Sequence, residues 1–141
     1  MKKSILFILG IMIIIISNFC GCQEDQTIEN KFENINFLSE EMGVLQLVNG
    51  SFILDANKHG VVKSAEATVY FKNLLENTID ITFSIDFVDN NDTIIYNKSK
   101  TIENLPGGYT EHLGNNFYYD GENVGLVNHI NIRIIDYKIK D

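Results

Sequence analysis

The chain has 141 residues, 19 acidic and 11 basic side chains, a formal net charge of −8, one proline, two cysteines and no tryptophan. That length holds one domain of ordinary size, not a multi-domain enzyme or a repeat array. The acidic balance, with no basic cluster, argues against a phosphate backbone as ligand, so no nucleic-acid partner is expected.

The N-terminus reads as an export signal. Lys2 and Lys3 precede an apolar run over residues 5–16, broken only by Gly10. The run is shorter than the roughly 20 residues a membrane-spanning helix needs, and its layout is that of a signal peptide. It closes on Phe19-Cys20-Gly21-Cys22, which resembles the lipobox of prokaryotic lipoproteins. The resemblance implies that the Cys22 thiol receives a diacylglyceryl group and that cleavage leaves Cys22 as the first residue. An uncleaved anchor and plain secretion stand as alternatives, and all three place the domain outside the cytoplasm. Cys20 leaves with the signal, so neither a disulfide nor a cysteine metal site is expected.

The expected organisation is a signal peptide over residues 1–21, a lipid-anchored acidic tether over 22–41 and a β-sandwich over 42–141. Glu24, Asp25 and Glu29 make the first part of the tether a solvated spacer. Phe32, Ile35, Phe37 and Leu38 interrupt the polar pattern, and docking of Phe37 and Leu38 on the domain is left open.

From Val44 onward the hydrophobic period is two. Over residues 78–89, Ile79, Ile81, Phe83, Ile85 and Phe87 fall on one face, with Asp80, Thr82, Ser84 and Asp86 on the other. That alternation predicts a strand with one buried face. Ala65, Ala67, Val69 and Phe71 alternate likewise, as do Ile130, Ile132 and Ile134. At Ile134-Ile135 the phase changes, which predicts a β-bulge. Further strands are expected over 43–48, 51–55, 93–102 and 109–119. Asn49-Gly50 predicts a hairpin turn between the first two of these, and Pro106-Gly107-Gly108 predicts a turn that stops the preceding strand. Seven short strands with such turns predict an all-β, antiparallel, immunoglobulin-like β-sandwich.

The stretches Ala67-Thr68-Val69-Tyr70-Phe71-Lys72-Asn73, Ile85-Asp86-Phe87-Val88-Asp89 and Leu105-Pro106-Gly107 resemble the motifs of FxLYD-type domains, small immunoglobulin-like modules of bacterial and archaeal surface proteins. The resemblance implies a fold and a surface location, and it carries no catalytic residues.

Chemistry-bearing patterns are few. His59, His112 and His129 share no metal spacing, and no serine sits in a nucleophile elbow. No enzymatic activity and no cofactor are expected. Asp89, Asn91 and Asp92 offer the hard oxygens calcium prefers, but the same residue types also build turns, and no metal is assigned. Phe117, Tyr118, Tyr119 and Asp120 have the composition of a recognition loop; the alternative places Phe117 and Tyr119 in the core with Tyr118 exposed. Three Asn-x-Ser/Thr acceptors occur, at Asn49, Asn91 and Asn97.

The function expected from these features is a membrane-anchored lipoprotein on the extracytoplasmic face of the cell membrane. Its sandwich would be a non-catalytic module binding an envelope or extracellular protein or glycan, while the acylated N-terminus sits in the lipid bilayer. The alternative is a structural or accessory subunit of a surface or transport assembly. A third reading, an enzyme with a loop-built site, requires His112 or His129 to converge with acidic residues.

Overall fold

The computed structural model describes residues 32–140. The signal segment, Cys22 and the spacer through residue 31 lie outside the described residues. Seven strands follow in chain order: β1 (Ile35–Phe37), β2 (Leu45–Ala56), β3 (Val62–Asn73), β4 (Ile79–Val88), β5 (Ile94–Leu105), β6 (Asn115–Tyr119) and β7 (His129–Ile139). Two short 3₁₀ turns, Glu40–Met42 and Val124–Leu126, join some of them.

The strands form two sheets, β1-β7-β4-β5 and β2-β3-β6, packed as a sandwich. An immunoglobulin-type sandwich sets strands A-B-E-D against C-F-G. Here β2, β3 and β6 take the order A-B-E, and β5, β4 and β7 take the order C′-C-F. One pairing departs from the antiparallel expectation: β1 runs parallel to β7, with Ile35 opposite Ile130 and Phe37 opposite Ile132. It fills the sheet edge where strand G would otherwise lie.

β4 is the spine. Ile79, Ile81, Phe83, Ile85 and Phe87 are fully buried and face β3 and β6 across the core. Phe83 packs edge-on against Phe71 of β3 at 5.0 Å and Phe117 of β6 at 5.9 Å, a geometry that aligns ring edges with ring faces. The outer face of β4 is drier than alternation alone suggests, because Ser84 and Asp86 are buried too. β4 has neighbours on both sides, and the Asp86 carboxylate is held between Asn97 of β5 and Arg133 of β7. A buried carboxylate needs such partners.

The β-bulge lies where the phase change puts it. Thr82 opposes Asp136 and Phe83 opposes Ile134, which leaves Ile135 without a partner and 55% exposed. The Ile134 amide donates to the Ser39 hydroxyl at 2.9 Å instead of to a strand. The Asn49-Gly50 hairpin does not form. β2 runs straight through it, with a register slip between Leu47 and Asn49. Local turn preference is overridden by the sheet: Asn49 and Gly50 pair with Tyr70 and Val69, and Ile35 packs close by, its Cδ1 2.9 Å from where a Cβ on Gly50 would lie. The chain reverses instead after Asn57, whose Oδ1 accepts from the amides of His59 and Val61, with Gly60 at φ +78°.

Part of the segment assigned to the tether belongs to the sandwich. Ile35 is buried in the core, and Phe32 and Phe37 pack against it, whereas Leu38 is 58% exposed. The packed unit therefore includes Phe32, Ile35 and Phe37, upstream of residue 42.

Candidate functional site

Asn73, at the end of β3, organises one end of the sandwich. It is fully buried. Its Nδ2 donates to the carbonyls of Asn77 at 2.9 Å and of Leu105 and Pro106 at 3.1 Å each, and its Oδ1 accepts from the Leu75 amide at 2.9 Å. One amide side chain thus satisfies backbone groups of two turns, at 73–77 and 105–108. The turns touch so closely that a Cβ on Gly107 would lie 1.9 Å from the Glu76 carbonyl oxygen. Gly108, at φ +67°, donates to the Leu75 carbonyl at 3.0 Å.

This clamp launches the chain from Tyr109 alongside β3. The Asn73 amide donates to the Tyr109 carbonyl and the Glu111 amide to the Phe71 carbonyl, both at 2.9 Å. Glu111 then turns its carboxylate back on β3. Oε2 accepts from the Phe71 amide at 2.9 Å and from Asn115 Nδ2 at 2.8 Å. Burial pushes the Glu111 carboxyl up from its ordinary value, against the opposing pull of these two hydrogen bonds and of Lys100.

Between this segment and the last residues of β5 lies a groove of about 230 Å³, lined by Ile102, Leu105, Tyr109, Glu111, His112 and Leu113 among others. Tyr109 and His112 meet edge to face at 5.5 Å. Leu113 is 85% exposed, the most exposed large apolar side chain among the described residues. The groove sits by the start of β4, since Leu105 pairs with Ile79 and Ile102 with Ile81. The chain arrives at the other end, where Ile35 pairs with Ile130 and Ile130 with Phe87. Ten residues of β4 separate the two ends by about 30 Å.

The recognition-loop candidates divide as alternation requires. Phe117 is buried against Phe83. Tyr119 stacks on Tyr96 of β5 at 4.7 Å and 11°, closing the side of the sandwich. Gly121 leaves room for that ring, because a Cβ there would lie 2.4 Å from Tyr119 Cε2. Only Tyr118 and Asp120 of the four face solvent, Tyr118 beside Glu66 and Thr68 in a shallow groove. Phe117 is therefore a core residue, and Tyr119 packs against the core from its edge.

The Asp89–Asp92 segment forms a tight turn. Asp89 Oδ1 accepts from the amides of Asn91 and Thr93, both at 2.8 Å. These bonds, that from Thr93 foremost, hold the Asp89 carboxyl below its ordinary range. Asp92 Oδ1 pairs with His129 Nε2 at 3.0 Å. The carboxylates offered for calcium are engaged within the protein, and no group of three or more His, Cys, Asp or Glu converges for a metal among the described residues. Each histidine lies by one carboxylate: His129 pairs with Asp92 at the chain-arrival end, and His112 lines the groove together with Glu111. Asp80 pairs with Lys140 at 2.7 Å and accepts the Asn104 amide at 2.8 Å, which lowers its carboxyl.

Sequence reading missed the groove. The strand expected over 109–119 begins only at Asn115; Tyr109, His112 and Leu113 precede it as groove wall, and their grouping depends on a contact with Asn73 more than thirty residues away. The one available signal was an unpatterned leucine in a polar loop.

No family model matches the chain, and no curated protein matches it. Among solved structures, the crystal structure of Campylobacter jejuni cj0090 is similar over 77% of this chain and 100% of its own, at 12% identity and a TM-score of 0.42.

Proposed function

We propose that the protein is an envelope lipoprotein whose sandwich is a non-catalytic interaction module, held by acylated Cys22 and binding an envelope or extracellular protein or glycan. The observation that carries this reading is the groove around Leu113. It exposes leucine, tyrosine and histidine together, between the last residues of β5 and the segment that follows the Pro106–Gly108 turn. An exposed apolar side chain next to an aromatic pair is the composition of a contact surface. Acidic side chains that could serve as reactive groups are instead spent on structure: Asp86 on Arg133, Asp80 on Lys140, Asp89 on its own turn. The FxLYD resemblance agrees with this reading, since its Asn73 and Leu105-Pro106-Gly107 elements meet in one hydrogen-bonded unit that positions the groove.

A photo-crosslinking side chain at position 113 tests the reading in intact envelopes. The expected result is one discrete adduct, competed by added wild-type chain but not by Leu113→Glu, with none from position 118. Equal or absent labelling at both positions would overturn it. An adduct of fixed stoichiometry that survives detergent extraction would assign the chain to an assembly as a subunit.

A further inference from the structure

The fold separates the three Asn-x-Ser/Thr acceptors. Asn49 and Ser51 lie within β2, paired with Tyr70 and Thr68, and Asn49 Oδ1 accepts from the Gly50 amide at 2.8 Å. Asn97 and Ser99 lie within β5, paired with Asp86 and Ser84, and Asn97 Nδ2 donates to the buried Asp86 carboxylate. Transfer of a glycan requires that the asparagine Nδ2 be free as nucleophile and that the residue and its hydroxyl partner two positions on be lifted into an enzyme's site. Neither strand acceptor meets that requirement without breaking a ladder. Residues 90–93, at the tip of the β4–β5 hairpin, are all exposed, and the Asn91 side chain makes no hydrogen bond among the described residues. We propose that Asn91 is an acceptor for an N-linked glycan, with Thr93 as its hydroxyl partner.

The location suits a membrane-bound transferase. The hairpin tip and the arriving chain share one end of the sandwich: the Asn34 carbonyl accepts from the Ile130 amide at 3.0 Å, and Asp92 pairs with neighbouring His129. On the lipid-anchored reading, on which the cellular role of this site rests, Asn91 faces the membrane side, where lipid-linked sugars are held. The turn opens by losing the two hydrogen bonds that the Asn91 and Thr93 amides donate to Asp89 Oδ1, the backbone bonds Asp89–Thr93 and Asp92–Asp89, and the Asp92–His129 pair, all at the hairpin tip and without disturbing buried Val88. Such local openings lie at the low end of the free-energy range.

The donor class is an oligosaccharide on a polyprenyl pyrophosphate. Asn91 Nδ2 bonds to the anomeric carbon, and the bond from that carbon to the pyrophosphate oxygen breaks. The electron pair leaves with the polyprenyl pyrophosphate, and one Nδ2 proton passes to a base of the transferase. Nothing is oxidised or reduced.

The test uses the folded full-length chain in detergent, a purified single-subunit oligosaccharyltransferase and a polyprenyl-pyrophosphate oligosaccharide, read by intact mass and peptide mapping. The expected result is a single glycan on Asn91, lost in Asn91→Gln and in Thr93→Ala and retained in Asn97→Gln. A glycan on Asn49 or Asn97 of the folded chain would overturn the assignment. So would a folded chain left unmodified, whether or not the urea-unfolded chain accepts the glycan. Because the reaction is run without export, its failure is separate from failure of the lipoprotein reading, which lipid labelling of Cys22→Ala decides.

Discussion

The side-chain amide of Asn73 donates to the Leu105 carbonyl at 3.1 Å, joining the end of β3 to the end of β5 across 32 residues. The same nitrogen also serves Asn77 and Pro106. Replacing it with alanine strands the buried Leu105 carbonyl and leaves the part-buried Asn77 and Pro106 carbonyls and the Leu75 amide without their protein partner. Each buried unsatisfied group costs about 1–3 kcal/mol, so Asn73→Ala should lose roughly 2–4 kcal/mol in urea unfolding. The groove is launched from this clamp, so crosslinking from position 113 should fall in the same variant. A loss below about 1 kcal/mol would show that water replaces the amide.

Phe83 tests the core. It contacts aromatic rings from both β3 and β6 and is fully buried. Phe83→Ala should cost about 3–5 kcal/mol. Thr82, its half-buried neighbour on the outer face, shares a hydroxyl hydrogen bond with Thr101 at 2.8 Å and should lose only about 1 kcal/mol when replaced by alanine. Equal effects would mean the faces are misassigned.

These two residues mark what was legible in the sequence. Phe83 sits in a five-member alternation that survives any detail of loop geometry, and the Ile134-Ile135 phase change located a bulge because a strand cannot hide an extra residue. Asn73 was legible only as a motif letter, because its partners come from a distant turn. Asn49-Gly50 misled for the converse reason. Its local preference is real, but both residues pair with β3, with Ile35 packed close to Gly50, and the sheet outweighs turn propensity. Ser39, which supplies the bulge with its missing acceptor, carried no signal at all.

Glu111 predicts a pH dependence. Burial raises its carboxyl, so the folded state binds a proton more tightly there than the unfolded chain does. The stability this supplies is present at low pH and is lost as pH rises from the ordinary glutamate range through the raised value. Glu111→Gln keeps an acceptor for the Phe71 amide and removes the titration. The variant should therefore gain melting temperature relative to wild type at neutral pH and lose that gain near about pH 4. Asp80 and Asp89 act in the opposite sense: their lowered carboxyls contribute stability above the ordinary aspartate range that is lost on acidification. A difference between the Glu111→Gln variant and the wild-type chain that does not vary with pH would refute the assignment.

The last prediction concerns where the packed unit begins. Gln23, Glu24 and Asp25 open a segment too polar to offset its ordering entropy, so a chain starting at Phe32 should melt within about 2 °C of one starting at Gln23. A chain starting at Glu41 is different. It loses Ile35 from the core, the packing of Phe32 and Phe37, and the Ser39 hydroxyl that accepts from Ile134. A fully buried aliphatic or aromatic side chain contributes roughly 1.5–3 kcal/mol, and a partly buried one less. Adding the stranded bulge amide, the deficit is about 4–6 kcal/mol. For a domain of this size that corresponds to a fall of roughly 15–30 °C. Removal of β1 also bares the β7 edge at Ile130 and Ile132, so the shortened chain should aggregate more readily as well as unfold sooner. Ile35→Ala in the full-length chain separates the terms, because it keeps the Ser39 contact and the β1 ladder. It should recover more than half of the lost stability. If the Glu41 chain melted with the longer ones, β1 would be a passive edge and the tether would reach to residue 41.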